Sequence, residues 1–372
     1  MPKKIFILTH PLTGSYGGLL QAYASYTVLK SLGLTPYIYK YKPNDLPLTF
    51  SDYYRYLTYH IKYIRGKIKN EDPLWHTMWQ KLFLARNFLR GLRMYEETQS
   101  APQSKDISYF VGSDQVWRAI FCRSMKSPEY YFLSFATKEQ RCNSIAYAAS
   151  FGTDEWEGTP EETEICKQLI KDFKAVSVRE HSGIDICRNV FDKEAVQMPD
   201  PTLLLEKQEY EKIIHKERTW APEKPYIATY ILDKTSFTEN LAQECALQLH
   251  LYLQHLTPYS TAPKLRDRFA PTGPQWLRLI HDSEYFITDS FHGCAFAIIF
   301  NKPFVCLGNP SRGSARFDSL LKTFGLQNRL VANRDVDTIL QTLNTPIDWV
   351  RVNSIREQER ARGIEFLTKN LV

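Results

Sequence analysis

The stretch Tyr285–Leu307, YFITDSFHGCAFAIIFNKPFVCL, leaves its chain few choices of fold. Tyr285–Thr288 fits a buried strand, Asp289–Gly293 is a polar junction, and Cys294–Phe300 is an apolar helix. Asn301–Pro303 then turns, and Phe304–Leu307 is a second buried strand. The spacing predicts a compact βαβ unit whose polar cluster falls where the first strand hands over to the helix. In open parallel sheets, ligands bind at that carboxyl end. A helix start there offers free N–H groups and partial positive charge, suited to phosphate or carboxylate. His292 lies inside the junction, so a group that titrates near neutrality accompanies the anion site.

A similar order opens the chain. Lys4–Thr9 reads as a strand, His10–Gly18 as a Pro- and Gly-containing loop, and the residues around Leu19–Leu29 as a helix. Thr35–Tyr41 alternates like a strand. The glycines Gly14, Gly17 and Gly18 do not form G-x-G-x-x-G, which weakens a dinucleotide reading. Sheet structure resumes at Ile107–Val111, before the turn GSDQVW, and continues through Ser144–Ala148 and Ala175–Val178. Met198–Leu205, MPDPTLLL, sets two prolines around an aspartate and reads as a joint between domains. A second α/β series follows, closed by a long polar helix over Asp348–Lys369. The chain of 372 residues is long for a single core. We therefore expect an α/β protein of two Rossmann-like domains facing a cleft. Residues 1–205 form the first, with a helical insertion at about 51–95, and residues 206–372 form the second, with a C-terminal helix.

Composition narrows the class. No apolar run approaches the ~18 residues of a membrane-spanning helix, and Ile5–Leu8 is too short for a signal peptide. The seven cysteines are scattered without a C-x-x-C pair, which suits a reduced cytoplasmic protein with free thiols. No Cys/His cluster has zinc-ligand spacing, so no metal is expected.

Charge is concentrated in one segment. Tyr53–Tyr95 carries nine lysines and arginines against two acids, whereas the whole chain has a net charge of +6. Ten aromatics are interleaved with those cations. Such a mixture suits either the headgroup layer of an anionic membrane or a solvated helical hairpin packed on the first domain. Nucleic acid is not an expected partner, because the remainder is close to neutral and carries no nucleic-acid motif.

Seven motifs occur in order: GSYGGLLQAYA (Gly14–Ala24), FVGSDQVW (Phe110–Trp117), YAASFG (Tyr147–Gly152), SVRE (Ser177–Glu180), PDPTLLL (Pro199–Leu205), TDSFHGCAFAIIFNKPF (Thr288–Phe304) and SLLKTFGL (Ser319–Leu326). This series resembles the polysaccharide pyruvyl transferase family across about Lys4 to Val331. The resemblance implies a glycosyltransferase-B-like architecture, with residues 1–205 on the acceptor side and residues 206–372 on the donor side. It also implies transfer of the enolpyruvyl group of phosphoenolpyruvate onto a sugar of a capsule or exopolysaccharide precursor, forming a pyruvate ketal. The acceptor is expected to be lipid-linked and the enzyme to work at the inner face of the membrane. Phosphoenolpyruvate is a co-substrate, and no cofactor is needed. A nucleotide-sugar glycosyltransferase and a non-enzymatic sugar-binding protein are the alternatives.

Such chemistry needs a general acid, a base for the sugar hydroxyls and holders for two anionic groups. His292 is expected as acid/base or phosphate contact, and Asp114 as a proton acceptor or a turn-ordering residue. For the donor, Arg179 follows a short strand and has a fork that fits a carboxylate. Ser290 and Gly293 stand at the helix start, where Asp289 and Ser290 can equally act as plain caps. Arg312 and Arg316 precede or open a helix. For the acceptor, Tyr16, Gly17 and Gln21 stand at the first strand–helix junction. Gln115 lies in the GSDQVW turn, and Trp117 offers a face to a sugar or fills the core.

Overall fold

The computed structural model describes residues 3–12, 15–40, 58, 61–62, 94–96, 107–216, 219–257, 271–308, 315–332 and 335–372. Its strands fall into two sheets, parallel throughout. The first contains β1 (Lys4–Leu8), β2 (Thr35–Lys40), β3 (Met94–Glu96), β4 (Ser108–Val111), β5 (Ile145–Ala149), β6 (Ala175–Val178) and β7 (Val196–Gln197), in the order β3-β2-β1-β4-β5-β6-β7. The second contains β8 (Tyr226–Tyr230), β9 (Tyr252–His255), β10 (Tyr285–Thr288), β11 (Phe304–Leu307) and β12 (Leu330–Val331), in the order β12-β11-β10-β8-β9. Strands β4, β5, β8 and β11 are buried along their whole length. Helices cover both faces of a parallel sheet, so these strands read as apolar runs rather than alternating ones. The protein is thus α/β, with two Rossmann-like units.

Strand order reverses between β1 and β4 in the first sheet and between β8 and β10 in the second. The carboxyl ends at such reversals open a crevice, because the following helices leave to opposite faces. The helix after β1, Tyr16–Ser31, is started by the Ser15 side chain, which accepts the Gly18 N–H. The helix after β10, Phe291–Ile299, begins three residues earlier than its apolar run suggests. Ser290 accepts the Gly293 N–H, so the first turn takes in His292.

The two units share one core. Tyr16 stacks on Trp276, with centroids 5.3 Å apart, and meets Tyr230 edge-on. The His181 N–H donates to Ser319 Oγ at 3.2 Å, tying the exit of β6 to helix Ala315–Phe324. Met198–Leu205, read as a joint, is buried: Pro201–Leu204 form a 3-10 turn packed under helix Tyr16–Ser31. The C-terminal helix, Trp349–Leu371, spans both units. It buries one stripe, Val352, Arg356, Glu359, Gly363, Leu367 and Leu371, at three- and four-residue spacing. Arg356 donates to Ile299 O of the second unit, whereas Arg360 donates to Leu204 O and Phe366 packs near Tyr147 of the first.

Most of the expected insertion at 51–95 lies outside the described residues. Thr58, Ile61 and Lys62 are helical, but Met94 and Tyr95 belong to strand β3. Sheet pairing with Ile38 and Tyr39 overrides the helical pattern expected up to Met94.

Candidate functional site

The centre of the site is a residue that the sequence did not single out. Asp200 is fully buried between two prolines. Its Oδ1 accepts the Thr202 N–H and Oγ–H at 3.0 and 2.8 Å. Its Oδ2 accepts Ser113 Oγ–H at 2.8 Å and Arg179 Nη1–H at 2.9 Å, and His292 Nε2 stands 3.5 Å away. Burial by itself would raise this carboxyl. The facing His292 and Arg179, with the Thr202 N–H, instead hold it far below the ordinary carboxylate range. Asp200 is therefore a fixed negative charge that orients a guanidinium from the first unit and an imidazole from the second.

Arg179 leaves the carboxyl end of β6 and is 3% exposed. Nη1 is spent on Asp200, and the guanidinium lies 4.3 Å over the Phe291 ring. Its Nε and Nη2 are buried and have no hydrogen-bond partner among the described residues. A cavity beside it is lined by Pro199, Asp200, Leu203, Phe291 and Leu320. The next residue, Glu180, is fully buried and serves the loop after β5. Its Oε1 accepts the Ser150 Oγ–H and the Phe151 and Gly152 N–H groups, which fixes the loop beneath the site.

His292 is 8% exposed in the first turn of its helix. Its ring lies on Gly17: a Cβ there would fall 2.0 Å from Nδ1, so only glycine allows this approach. Gly293 is equally constrained, because its Cα faces Thr288 Oγ1 with space for a Cβ only at 2.3 Å.

Asp114 closes the site from the first unit. Burial favours its neutral form, but His10, Arg179, His292 and the Gln115 N–H more than offset this and lower its pKa. Arg316, in the first turn of helix Ala315–Phe324, is 7% exposed. Burial and the neighbouring Arg179 push it down to about 10, against the opposing pull of Glu180 and Asp114, so it stays cationic at neutral pH. Arg118 donates to Gln115 Oε1 at 3.2 Å and pairs with Glu157 at 3.4 Å.

Of the residues expected from the sequence, Arg179 and His292 face Asp200, Asp114 and Arg316 lie near Arg179, Gly17 lies under the His292 ring, and Ser290 and Gly293 belong to the first turn that carries His292. Others among the expected residues lie inside the core. Trp117 is 1% exposed, stacked on Phe132 at 4.8 Å, and its indole N–H donates to Tyr131 O; it has no face for a sugar. Gln21 is fully buried. Its amide donates to Thr9 Oγ1 and Gly18 O and accepts the Ser113 N–H, so it positions the GSDQVW turn instead of a ligand. Tyr16 is spent on Trp276 and on Pro271 O, to which its hydroxyl donates at 2.5 Å. Gln115 accepts from Arg118 while staying partly exposed, so it remains at the rim. Asp289 takes the Leu232 and Asp233 N–H groups and stitches the β8–β10 crevice. Arg312 lies outside the described residues.

The family model described as polysaccharide pyruvyl transferase matches residues 16–311. The chain belongs to the polysaccharide pyruvyl transferase family. All the central site residues except His10 and Arg316 fall inside the matched span. No curated protein matches the chain significantly. Among solved structures, the UDP-N-acetylglucosamine 2-epimerase of Rickettsia bellii is similar over 98% of this chain and 97% of its own, at 11% identity and a TM-score of 0.46. A glycotransferase of kitacinnamycin is similar over 100% and 99%, at 12% identity and 0.47. Another UDP-N-acetylglucosamine 2-epimerase is similar over 98% and 95%, at 10% identity and 0.49.

Two members of the site in this pyruvyl transferase family chain escaped the sequence reading, Asp200 and His10. Asp200 carried one usable signal, an acid followed two residues later by threonine at the start of an apolar turn, which is a capping pattern. His10 carried its position immediately beyond the first strand. Among the described residues there is no group of three or more His, Cys, Asp or Glu able to hold a metal, and no helix long and apolar enough to cross a membrane.

Proposed function

We propose that this transferase takes phosphoenolpyruvate as donor and forms a pyruvate ketal on a sugar of a surface-polysaccharide precursor. One observation carries this: the Arg179 guanidinium, held by Asp200, keeps Nε and Nη2 buried without a hydrogen-bond partner among the described residues, beside the start of helix Phe291–Ile299. A planar fork suits a carboxylate, and a helix N-terminus with Arg316 nearby suits a phosphate. Phosphoenolpyruvate presents both groups at the separation of a three-carbon acid. His292 would protonate the methylene carbon, which makes C2 electrophilic. A sugar hydroxyl adds to C2, phosphate leaves, and a second hydroxyl closes the ketal. The acceptor we assign is a capsule or exopolysaccharide sugar on a lipid carrier, met at the cytoplasmic face of the membrane. The basic, aromatic segment at 53–95 is the proposed membrane contact, on its sequence alone.

Calorimetric titration of phosphoenolpyruvate into wild type and His292→Ala tests the donor. We expect binding that weakens at least about tenfold in the variant. Absence of binding to wild type, with uptake of a uridine or guanosine diphosphate sugar instead, would replace this reading by a glycosyltransferase.

A further inference from the structure

We propose that His10 is the base that takes the proton of the attacking sugar hydroxyl, with Asp114 as the charge that supports its imidazolium form. This rests on the ketal-forming reaction proposed above, and it moves the base from Asp114, the proton acceptor expected from the sequence, to His10.

The position of His10 follows from sheet register. β1 and β4 are parallel neighbours with Leu8 opposite Val111, and the Gly112 N–H continues the pairing to Leu8 O at 3.1 Å. His10, two residues past β1, and Asp114, three past β4, therefore leave the sheet side by side at the reversal of strand order. That is the place where an open parallel sheet binds its ligand. The His10 ring rests edge-on against Tyr131, with centroids 5.2 Å apart, which fixes its plane. Its Nε2 is buried and has no hydrogen-bond partner among the described residues. Buried polar groups are normally satisfied, so a ring nitrogen left open at a ligand crevice is completed by the ligand.

The charged groups facing the ring are Asp114, from the loop after β4, and Arg179, from the end of β6. Tyr131, from the turn Pro128–Phe132, supplies the ring contact. Burial lowers the His10 pKa, Asp114 opposes this, and Arg179 adds to it, so the imidazole is neutral at physiological pH and able to accept a proton. Asp114 is the poorer base, because its own carboxyl is held below the ordinary value. His292 belongs to the second unit and His10 to the first, so acid and base approach the donor carbon from different units.

The step balances. The hydroxyl O–H bond breaks with its proton passing to His10 Nε2, and the new O–C bond forms at C2. The C2–C3 π electrons take the proton that His292 delivers to C3. The C2–O bond to phosphate then breaks, and phosphate leaves with the His10 proton. The second hydroxyl closes the ketal and returns its proton to His292. No redox partner is involved.

The test uses purified wild type, His10→Gln, His10→Asn and Asp114→Asn. Phosphate release from phosphoenolpyruvate is followed against methyl hexopyranosides and nucleoside-diphosphate hexoses, and donor binding is followed by calorimetry. We expect both His10 variants to lose about 10²-fold or more in kcat, in line with general base catalysis, with donor Kd unchanged within about threefold. The wild-type rate falls on the acid side as the base is protonated, and that limb is absent in His10→Gln. Asp114→Asn removes a charge that raises the His10 pKa, so the limb moves to lower pH; this measurement also decides the matter if the His10 variants do not fold. Retention of kcat and the acid limb in His10→Gln overturns the role of His10 alone. A limb unmoved in Asp114→Asn overturns the pairing. A wild type that binds no phosphoenolpyruvate, or releases no phosphate with any acceptor, overturns the donor reading and the base with it.

Discussion

Replacing Asp200 by asparagine isolates a single charge. Asparagine has the same shape, and its carbonyl oxygen can still accept from Thr202. What changes is the Oδ2 side, which now carries N–H groups facing the Arg179 guanidinium and His292. Arg179 is then a buried cation without its partner, since its side chain and that of Asp200 are 2% and 0% exposed. Breaking such a pair from one side costs about 3–5 kcal/mol, a large part of the roughly 5–15 kcal/mol that holds a domain folded. With a urea slope of about 2–3 kcal/mol/M, the midpoint falls by roughly 1–2 M. The assay is urea unfolding followed by tryptophan fluorescence and circular dichroism, on Asp200→Asn, Arg179→Met and the double variant. The double variant removes the stranded cation and should recover at least half of the loss. A single variant that loses less than about 1 kcal/mol, or a double variant less stable than Asp200→Asn, would refute the hub. The sign with pH is fixed. The Asp200 carboxyl is depressed in the folded state, so its contribution is complete above the unfolded carboxylate value of about 4. Below that value it is lost progressively as the unfolded carboxyl takes up protons, so the gap between wild type and Asp200→Asn narrows as pH falls below about 4.

Gly17→Ala places a methyl 2.0 Å from His292 Nδ1. The ring must move, so turnover should fall about 10²-fold while the melting temperature holds, because alanine is the better helix former; full activity would show that the His292 position is not critical. In the second unit, burial and Lys234 pull the His255 pKa down to about 4. Between about pH 4 and 6.5 the unfolded chain binds more protons, so stability rises with pH across that window, by roughly 3 kcal/mol in all. His255→Gln should flatten this rise in urea midpoints measured from pH 4 to 7, and an unchanged slope would exclude His255 as its source.

The junctions were legible in the sequence because they are local. A buried strand, a polar break and an apolar helix can be read from some twenty residues, and β10 and β11 came out as expected. Trp117 and Gln21 misled for the same reason: standing just after a strand end places a residue near a site but does not say which way its side chain turns. Trp117 turns into the Phe132–Phe151 cluster, and Gln21 turns under the Ser113 turn. Asp200 looked like part of a joint because its two prolines are visible in sequence and its burial is not.

The sequence by itself determined that the chain builds parallel α/β units, and it marked the polar breaks at which ligands are met. Residue patterns set strands and helices through short-range sterics and burial periodicity. Only the tertiary structure decided that β6, the Pro199–Pro201 turn and helix Phe291–Ile299 converge, so that Arg179, Asp200 and His292 share one buried charge system across the two units. That choice depends on which faces exclude water together. The same convergence sets Arg179 and His292 against Asp200, which keeps its carboxyl ionised in spite of burial, and it leaves nitrogens of Arg179 and His10 without a hydrogen-bond partner among the described residues.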